Sequence, residues 1–253
     1  TGEGLRAARE TGLKTTLIPN GWGLERRAHE VLPWVDRLMV SVDGIGERHD
    51  EVRRKDGLFE RLEAGLACSR QHWPDVSVIV NTVLSRLNLD QLEAIAEFGK
   101  RYGTRVSYQA MDVTDYGFGS RKQQLGSLQL DADEASDAAL RIRNLRRAGY
   151  PVSDSNAYLR KLGPEACSYR CHFKKVCLRV EPNGDVLDCT LDEVPMANTR
   201  ADSLDALTRS DPFRDFLQRS ERCNRCRDYA VVEISHLWEG KAEALWNAVR
   251  TLT

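Results

Sequence analysis

Residues 37–44 read RLMVSVDG, a β-type apolar run over 37–42 closed by Asp43-Gly44. A short apolar run rich in β-branched residues and stopped by a polar turn reads as a buried strand ending in a tight loop. Working outward, the same pattern recurs. Residues 14–18 (KTTLI) are closed by Pro19-Asn20-Gly21, residues 76–84 form a valine-rich run, and residues 105–112 alternate. Between these runs, 58–68 and 89–102 carry helical spacing, with Leu89, Leu92, Ile95 and Ala96 on one stripe of the latter. Asn88 stands where an N-cap belongs, Gln91 follows as in a capping box, and Gly103 ends the helix. Strand and helix alternating at roughly thirty-residue intervals predict βα units on a parallel sheet, hence an α/β fold. In such folds ligands collect on the loops leaving the carboxyl ends of the strands. Here those loops are Pro19-Asn20-Gly21 and residues 41–44, 81–85 and 109–116.

Composition narrows the function classes. The chain has 253 residues, 41% hydrophobic and 30% charged, with 37 basic against 38 acidic residues and a net charge of -1. Disorder is excluded, and no broad basic field exists to hold nucleic acid or an anionic membrane. No apolar run reaches the length of a membrane span, and residues 1–10 lack the pattern of a signal peptide. The expectation is a cytoplasmic protein with neither nucleic-acid nor membrane partners.

Beyond residue 112 the pattern changes. Residues 116–130 read as a loop and 133–148 as a charged helix. A boundary near residue 160 divides domains at 1–160 and 161–253. In the second domain, strand-like residues 178–181 and 185–187 flank Pro182-Asn183-Gly184, a hairpin signal, and helices follow over 204–220, broken at Pro212, and 233–249. Six of the seven cysteines lie between Cys167 and Cys226. That clustering fits metal or iron-sulfur ligation in a reducing compartment better than a secreted disulfide scaffold. Cys171 precedes the hairpin, Cys189 follows it, and Cys223-Asn224-Arg225-Cys226 places two thiols across a two-residue gap. Four such sulfurs can converge on one centre, either tetrahedral zinc or a cubane cluster, and spacing alone does not choose between them. Cys167 and Cys177 are alternative ligands, and Cys68 reads as a small buried hydrophobe. His29, His49, His72, His172 and His236 show no ligand spacing, so surface or capping roles are the default for each.

The spacing C-x12-G-x4-C followed by C-x2-C resembles the twitch or SPASM extension of radical S-adenosylmethionine enzymes. Thr1-Gly2-Glu3 is similar to the end of that superfamily's glycine-glycine-glutamate segment, and Pro19-Asn20-Gly21 to its strand-ending asparagine-glycine. Residues 40–44 with Arg53, and residues 80–84 followed by Asn88, are similar to its fourth and fifth strands. The resemblance implies a partial (β/α)6 TIM-like barrel with parallel strands, entered after its first strand, followed by a small cysteine-rich module of hairpin and helices. It further implies that Gly2 and Glu3 meet the methionine amino group of S-adenosylmethionine. Asn20 would lie at the same cofactor, with Ser41 and Asp43 near its ribose and methionyl portions. Arg53 or Arg54 would meet its carboxylate, and Asn81 would project toward cofactor or substrate. Tyr108, Gln109, Asp112 and Tyr116 are substrate-contact candidates, with packing as the competing role for the tyrosines. Cys171, Cys189, Cys223 and Cys226 would hold an auxiliary 4Fe-4S cluster.

The superfamily's C-x3-C-x2-C loop, which holds the cluster that cleaves S-adenosylmethionine, belongs before the glycine-glutamate segment. It is not in this sequence, so a second 4Fe-4S cluster is expected on a segment preceding Thr1, a degenerate homologue being the competing reading. The implied activity is hydrogen abstraction by a 5'-deoxyadenosyl radical from a peptide or small natural-product intermediate. An external donor such as flavodoxin or ferredoxin would supply electrons. Two other classes compete: a noncatalytic, zinc- or cluster-stapled binding module, and an electron-transfer protein using the cysteine cluster alone.

Overall fold

A computed structural model describes residues 2–111, 126–162, 169–187, 195–224 and 226–252. They fall into two units, one of residues 1–111 and 137–154, the other of residues 112–136 and 155–253. The first unit is built on a parallel sheet in the order β1 (Thr16–Leu17), β2 (Arg37–Ser41), β3 (Ser77–Leu84) and β4 (Arg105–Ala110). Each strand pairs with the next in sequence, the succession expected of a barrel wall. The helices between them are α1 (Gly2–Glu10), α2 (Leu24–Val31), α3 (Glu47–Arg53), α4 (Leu58–His72) and α5 (Leu92–Arg101).

Register explains the burial pattern. Leu38, Val40, Val80, Val106 and Tyr108 are fully buried on one face of the sheet. The other face carries Met39 and Ser41 beside Ile79 and Asn81, with Arg105 and Ser107 next along. Period-two alternation thus separates an apolar face from one with several polar side chains. Residues 150–154 extend the sheet beyond β4. Val106 bridges Val152 in parallel, its N–H donating to Pro151 O at 2.9 Å and its carbonyl accepting the Ser153 N–H at 2.8 Å. The sequence reading stopped the barrel at β4. A strand position this short, Tyr150-Pro151-Val152-Ser153, carries too few residues to show periodicity.

Several local expectations are corrected. Asn88 makes no side-chain cap bond at its helix. It is fully buried, and its Oδ1 accepts the Ser85 N–H at 2.9 Å while its Nδ2 donates to Val83 O at 2.9 Å. Gln91 closes no capping box; its Oε1 accepts the Ile45 N–H at 3.3 Å. Cys68 is half-buried on α4 and not a core residue.

In the second unit β5 (Arg179–Val180), β6 (Asp185–Leu187) and β7 (Pro195–Asn198) form an antiparallel sheet. The turn between β5 and β6 is closed by Gly184 N–H on Glu181 O at 2.8 Å, with Gly184 at φ +94° as the Pro-Asn-Gly signal requires. Helix α6 (Ala132–Arg147) begins in this unit and runs mostly through the first, and the remaining helices of the second unit are α7 (Asn156–Leu162), α8 (Phe173–Val176), α9 (Leu204–Arg209), α10 (Asp211–Ser220), α11 (Tyr229–Trp238) and α12 (Ala242–Leu252). The Pro212 break is real: Ser210 caps α10, accepting the Phe213 N–H at 3.3 Å. The helix expected over 233–249 is two helices, because Gly240 at φ +70° turns the chain between them. The α/β class, with its parallel strands and a small C-terminal module, is borne out.

Candidate active site and cysteine centre

At the carboxyl end of β2 the backbone ladder gives way to side chains. Val42 N–H still donates to Asn81 O at 2.9 Å, and Thr82 Oγ1 donates to Val42 O at 2.6 Å. One residue on, the Asp43 carboxylate takes over the acceptor position, receiving Val83 N–H on Oδ1 at 2.9 Å. Its Oδ2 faces Arg53 Nε at 2.6 Å. Burial pushes the Asp43 carboxyl up from its ordinary value, against the opposing pull of the Arg53 charge and the Val83 N–H. The Asp43 N–H donates to His49 Nδ1 at 3.1 Å. His49 is fully buried, its Nε2 has no hydrogen-bond partner among the described residues, and its ring meets Phe59 edge-on at 5.7 Å. Burial, with the nearby Arg53 charge, holds it neutral by lowering its pKa to about 4.

Ser41, Asp43, Arg53 and Asn81 are therefore gathered at one strand end. Ser41 and Asn81 are register partners on the same face, and Asn81 Oδ1 is buried without a partner among the described residues. Arg54, the alternative to Arg53, is exposed at the end of α3 with a left-handed backbone. Asn20 forms a turn, its Oδ1 accepting the Trp22 N–H at 3.1 Å, and lines a cleft with Pro19, Leu24 and Arg27. Gly2 and Glu3 line a different cleft, with Arg6, Glu30 and Trp34. Of the substrate-contact candidates, Tyr108 is fully buried and its hydroxyl donates to Leu92 O at 2.7 Å, the packing role. Asp112 and Tyr116 lie outside the described residues.

Sequence reasoning missed His49 and Asp154. His49 carries no motif signal beyond its place six residues after Asp43, and the surface default assigned to it is wrong because its ring is sealed under Phe59. His236 is likewise fully buried. Asp154, fully buried at the fifth strand position, accepts from Ser107 Oγ at 3.0 Å and from Tyr108 N–H at 2.9 Å.

In the second unit Cys171, Cys177, Cys223 and Cys226 line one cavity with Phe173, Lys174, Arg179, Leu187, Phe216 and Val231. Cys171 and Cys226 are buried, Cys177 and Cys223 half-buried, and none of the four is in a disulfide. Cys171 N–H donates to Cys223 O at 2.9 Å, which ties the chain before the hairpin to the C-x2-C turn. Burial pushes the Cys171 thiol up, while the backbone N–H groups of Lys174 and Phe173, at the start of α8, favour its thiolate. Tyr169, buried beside these cysteines, donates its hydroxyl to Cys226 O at 2.9 Å. Cys189 and Cys167 lie outside the described residues. Among the described residues no group of three His, Cys, Asp or Glu side chains is already set to hold a metal ion. The donor chemistry nevertheless fits a thiophilic centre, because the polar groups on this otherwise apolar wall are predominantly thiols.

Residues 171–227 match the SPASM family, described as an iron-sulfur cluster-binding domain. An AdoMet-dependent heme synthase from Methanosarcina barkeri is 32% identical over 123 residues, covering 47% of this chain and 34% of that protein. A PqqA peptide cyclase from Ruegeria pomeroyi is 28% identical over 201 residues, covering 73% of this chain and 49% of that protein. Among solved structures, Streptococcus suis SuiB superposes with a TM-score of 0.56 at 16% identity, over 84% of this chain and 52% of its own. SuiB bound to S-adenosylmethionine gives 0.57 at 16% identity, over 86% and 53%. This chain thus spans between a third and about half of these proteins. The matches bear out the resemblance drawn from the motifs, to radical S-adenosylmethionine enzymes that carry a SPASM extension, and the structural likeness extends the fold beyond residues 171–227.

No helix among the described residues is long and apolar enough to cross a membrane.

Proposed function

We propose that this chain is part of a radical S-adenosylmethionine oxidoreductase that acts on a peptide or a small natural-product intermediate, with an auxiliary 4Fe-4S cluster in its SPASM module. The carrying observation is the cavity lined by Cys171, Cys177, Cys223 and Cys226, which lies inside the stretch matched as an iron-sulfur cluster-binding domain. When bound and reduced, S-adenosylmethionine supplies a 5'-deoxyadenosyl radical that removes a hydrogen atom from substrate. The auxiliary cluster serves as electron acceptor or substrate ligand, held by Cys171, Cys189, Cys223 and Cys226. The reading takes the cluster-binding C-x3-C-x2-C loop to precede Thr1, and residues 1–160 and 161–253 to be the barrel and the cluster module. It also takes a flavodoxin- or ferredoxin-like donor as the electron source, in the cytoplasm.

The chain's own residues bind, orient and exclude water. Arg53 leads with Nε on Asp43, which fixes its guanidinium and leaves its terminal nitrogens to grip a carboxylate in the paired geometry that arginine favours. This arrangement favours Arg53 over the exposed Arg54 as the methionyl carboxylate contact. Asn81 brings a buried amide oxygen without a protein partner among the described residues, and Ser41 a hydroxyl beside it, as an acceptor and a donor for the cofactor. Gly2, Glu3 and Asn20 complete the cofactor-binding set in this reading. A sheet end clamped by Asp43, Thr82 and His49 holds these groups rigidly, which aiming at one C–H bond requires. A peptide substrate is supported by the relative named a peptide cyclase.

Anaerobic reconstitution of the full-length protein tests the proposal: reduction in the presence of S-adenosylmethionine yields 5'-deoxyadenosine. Absence of that product with every reductant tried, in protein loaded with iron and sulfide, would count against it.

A further inference from the structure

Lys174 is a buried cation with no matching anion among the described residues. It is 7% exposed and lines the cysteine cavity, and no carboxylate among the described residues lies within ion-pair distance of it. Its Nζ sits 4.6 Å from the centre of the Phe216 ring, itself part of the cavity wall. The neighbouring charges are compensated: Lys175 Nζ lies 3.6 Å from Glu221, and Arg179 Nε 2.7 Å from Glu181. A ring face supports a cation but does not neutralise it, and burying an uncompensated charge is costly. Besides Lys174 and Arg179, the remaining wall is thiols and apolar side chains, Phe173, Leu187, Phe216 and Val231. The thiolates of a bound cluster would supply the anion that the described residues do not.

We infer that Lys174 is a positioning charge that raises the reduction potential of the auxiliary cluster. The inference rests on the proposed placement of that cluster in this cavity. One-electron reduction adds a negative charge to a cluster already negative through its thiolates. A fixed ammonium in an apolar wall stabilises the reduced form more than the oxidised form, and net charge around a cluster is a main determinant of its potential. The electron comes from the substrate-derived radical in turnover and from dithionite in a titration. Zinc in the same thiolates would also satisfy the lysine but has no reduced state to tune.

The test is a dithionite redox titration of the full-length reconstituted protein, followed by electron paramagnetic resonance. The radical-generating cluster is distinguished by the change in its signal on adding S-adenosylmethionine. Lys174→Met shifts the auxiliary-cluster reduction equilibrium at least tenfold toward the oxidised form, a fall of about 59 mV for one electron. Lys174→Arg, which keeps the charge, stays within about threefold of wild type, a rescue that a packing role alone would not give to the bulkier side chain. Lys174→Gln, polar but uncharged, falls as the methionine variant does. An unchanged potential in Lys174→Met with full iron and sulfide overturns the inference and leaves the cluster reading standing. Loss of the cluster in both uncharged variants, with helicity intact by circular dichroism, also overturns it, since the lysine would then serve assembly. Wild-type protein that takes up zinc in place of iron overturns the cluster reading and this inference with it.

Discussion

His49 shows how one residue links local chemistry to the proposed cofactor site. Its Nδ1 accepts the Asp43 N–H, so its proton sits on Nε2 inside an apolar seal. Protonating Nδ1 would abolish that hydrogen bond and bury a charge next to Arg53, which is why its pKa falls to about 4. In the unfolded chain a histidine protonates near 6.5. Between about pH 6.5 and 4 the unfolded state therefore binds the proton that the folded state refuses, and stability falls as the solution is acidified, by up to about 3 kcal/mol. Below that window both states are protonated and the loss is complete. His236, also lowered to about 4, adds to the same trend, while Asp43, held up by burial, opposes it in the carboxylate range. His49→Asn, which keeps an acceptor near Nδ1 but does not titrate, is expected to flatten the thermal midpoint against pH over this window. Parallel curves for the two proteins would show that His49 does not carry the dependence.

At the scale of elements, the strand-end loops depend on close approach. Gly21 has φ +90°, and a Cβ there would lie 2.8 Å from the Leu62 Cβ, so the Asn20-Gly21 turn packs against α4 only without a side chain. Gly21→Ala is expected to lower stability by roughly 1–3 kcal/mol, through left-handed strain and overpacking together, read as the denaturant midpoint. A midpoint equal to wild type would mean that the loop relaxes at no cost. The same elements show what the sequence disclosed. The four parallel strands and the Pro182-Asn183-Gly184 hairpin were legible because period, β-branching and turn chemistry are local properties. The roles of Asn88 and Gln91 were not. Both have capping-box identity, yet the long-range demands of Ser85, Val83 and Ile45 outcompete the helix end for their side chains. The strand position at Val152 escaped because its evidence is a pairing with Val106, distant in sequence. At the candidate site, Ser41, Asp43 and Asn81 were readable as strand-end residues and Arg53 through the resemblance alone, whereas Lys174 and the shared cavity of Cys177 emerge only from packing.

At the scale of the whole molecule, two assemblies of different chemistry share one chain: a polar strand end with an Asp43–Arg53 ion pair, and a cavity lined by four thiols in the stretch that matches the SPASM family. The motif order that joins them in sequence favours the proposed radical chemistry, since a zinc staple alone would not call for an Asp43–Arg53 pair and an Asn81 amide oxygen without a partner among the described residues at a strand end. The cavity is proposed to hold an iron-sulfur cluster, and iron and acid-labile sulfide analysis of anaerobically reconstituted full-length protein beside its Cys223→Ala/Cys226→Ala variant tests that placement. About four iron and four sulfide fewer per chain are expected in the variant, the content of one cubane cluster. Equal iron in the two proteins, or zinc in place of iron in the wild type, would contradict it.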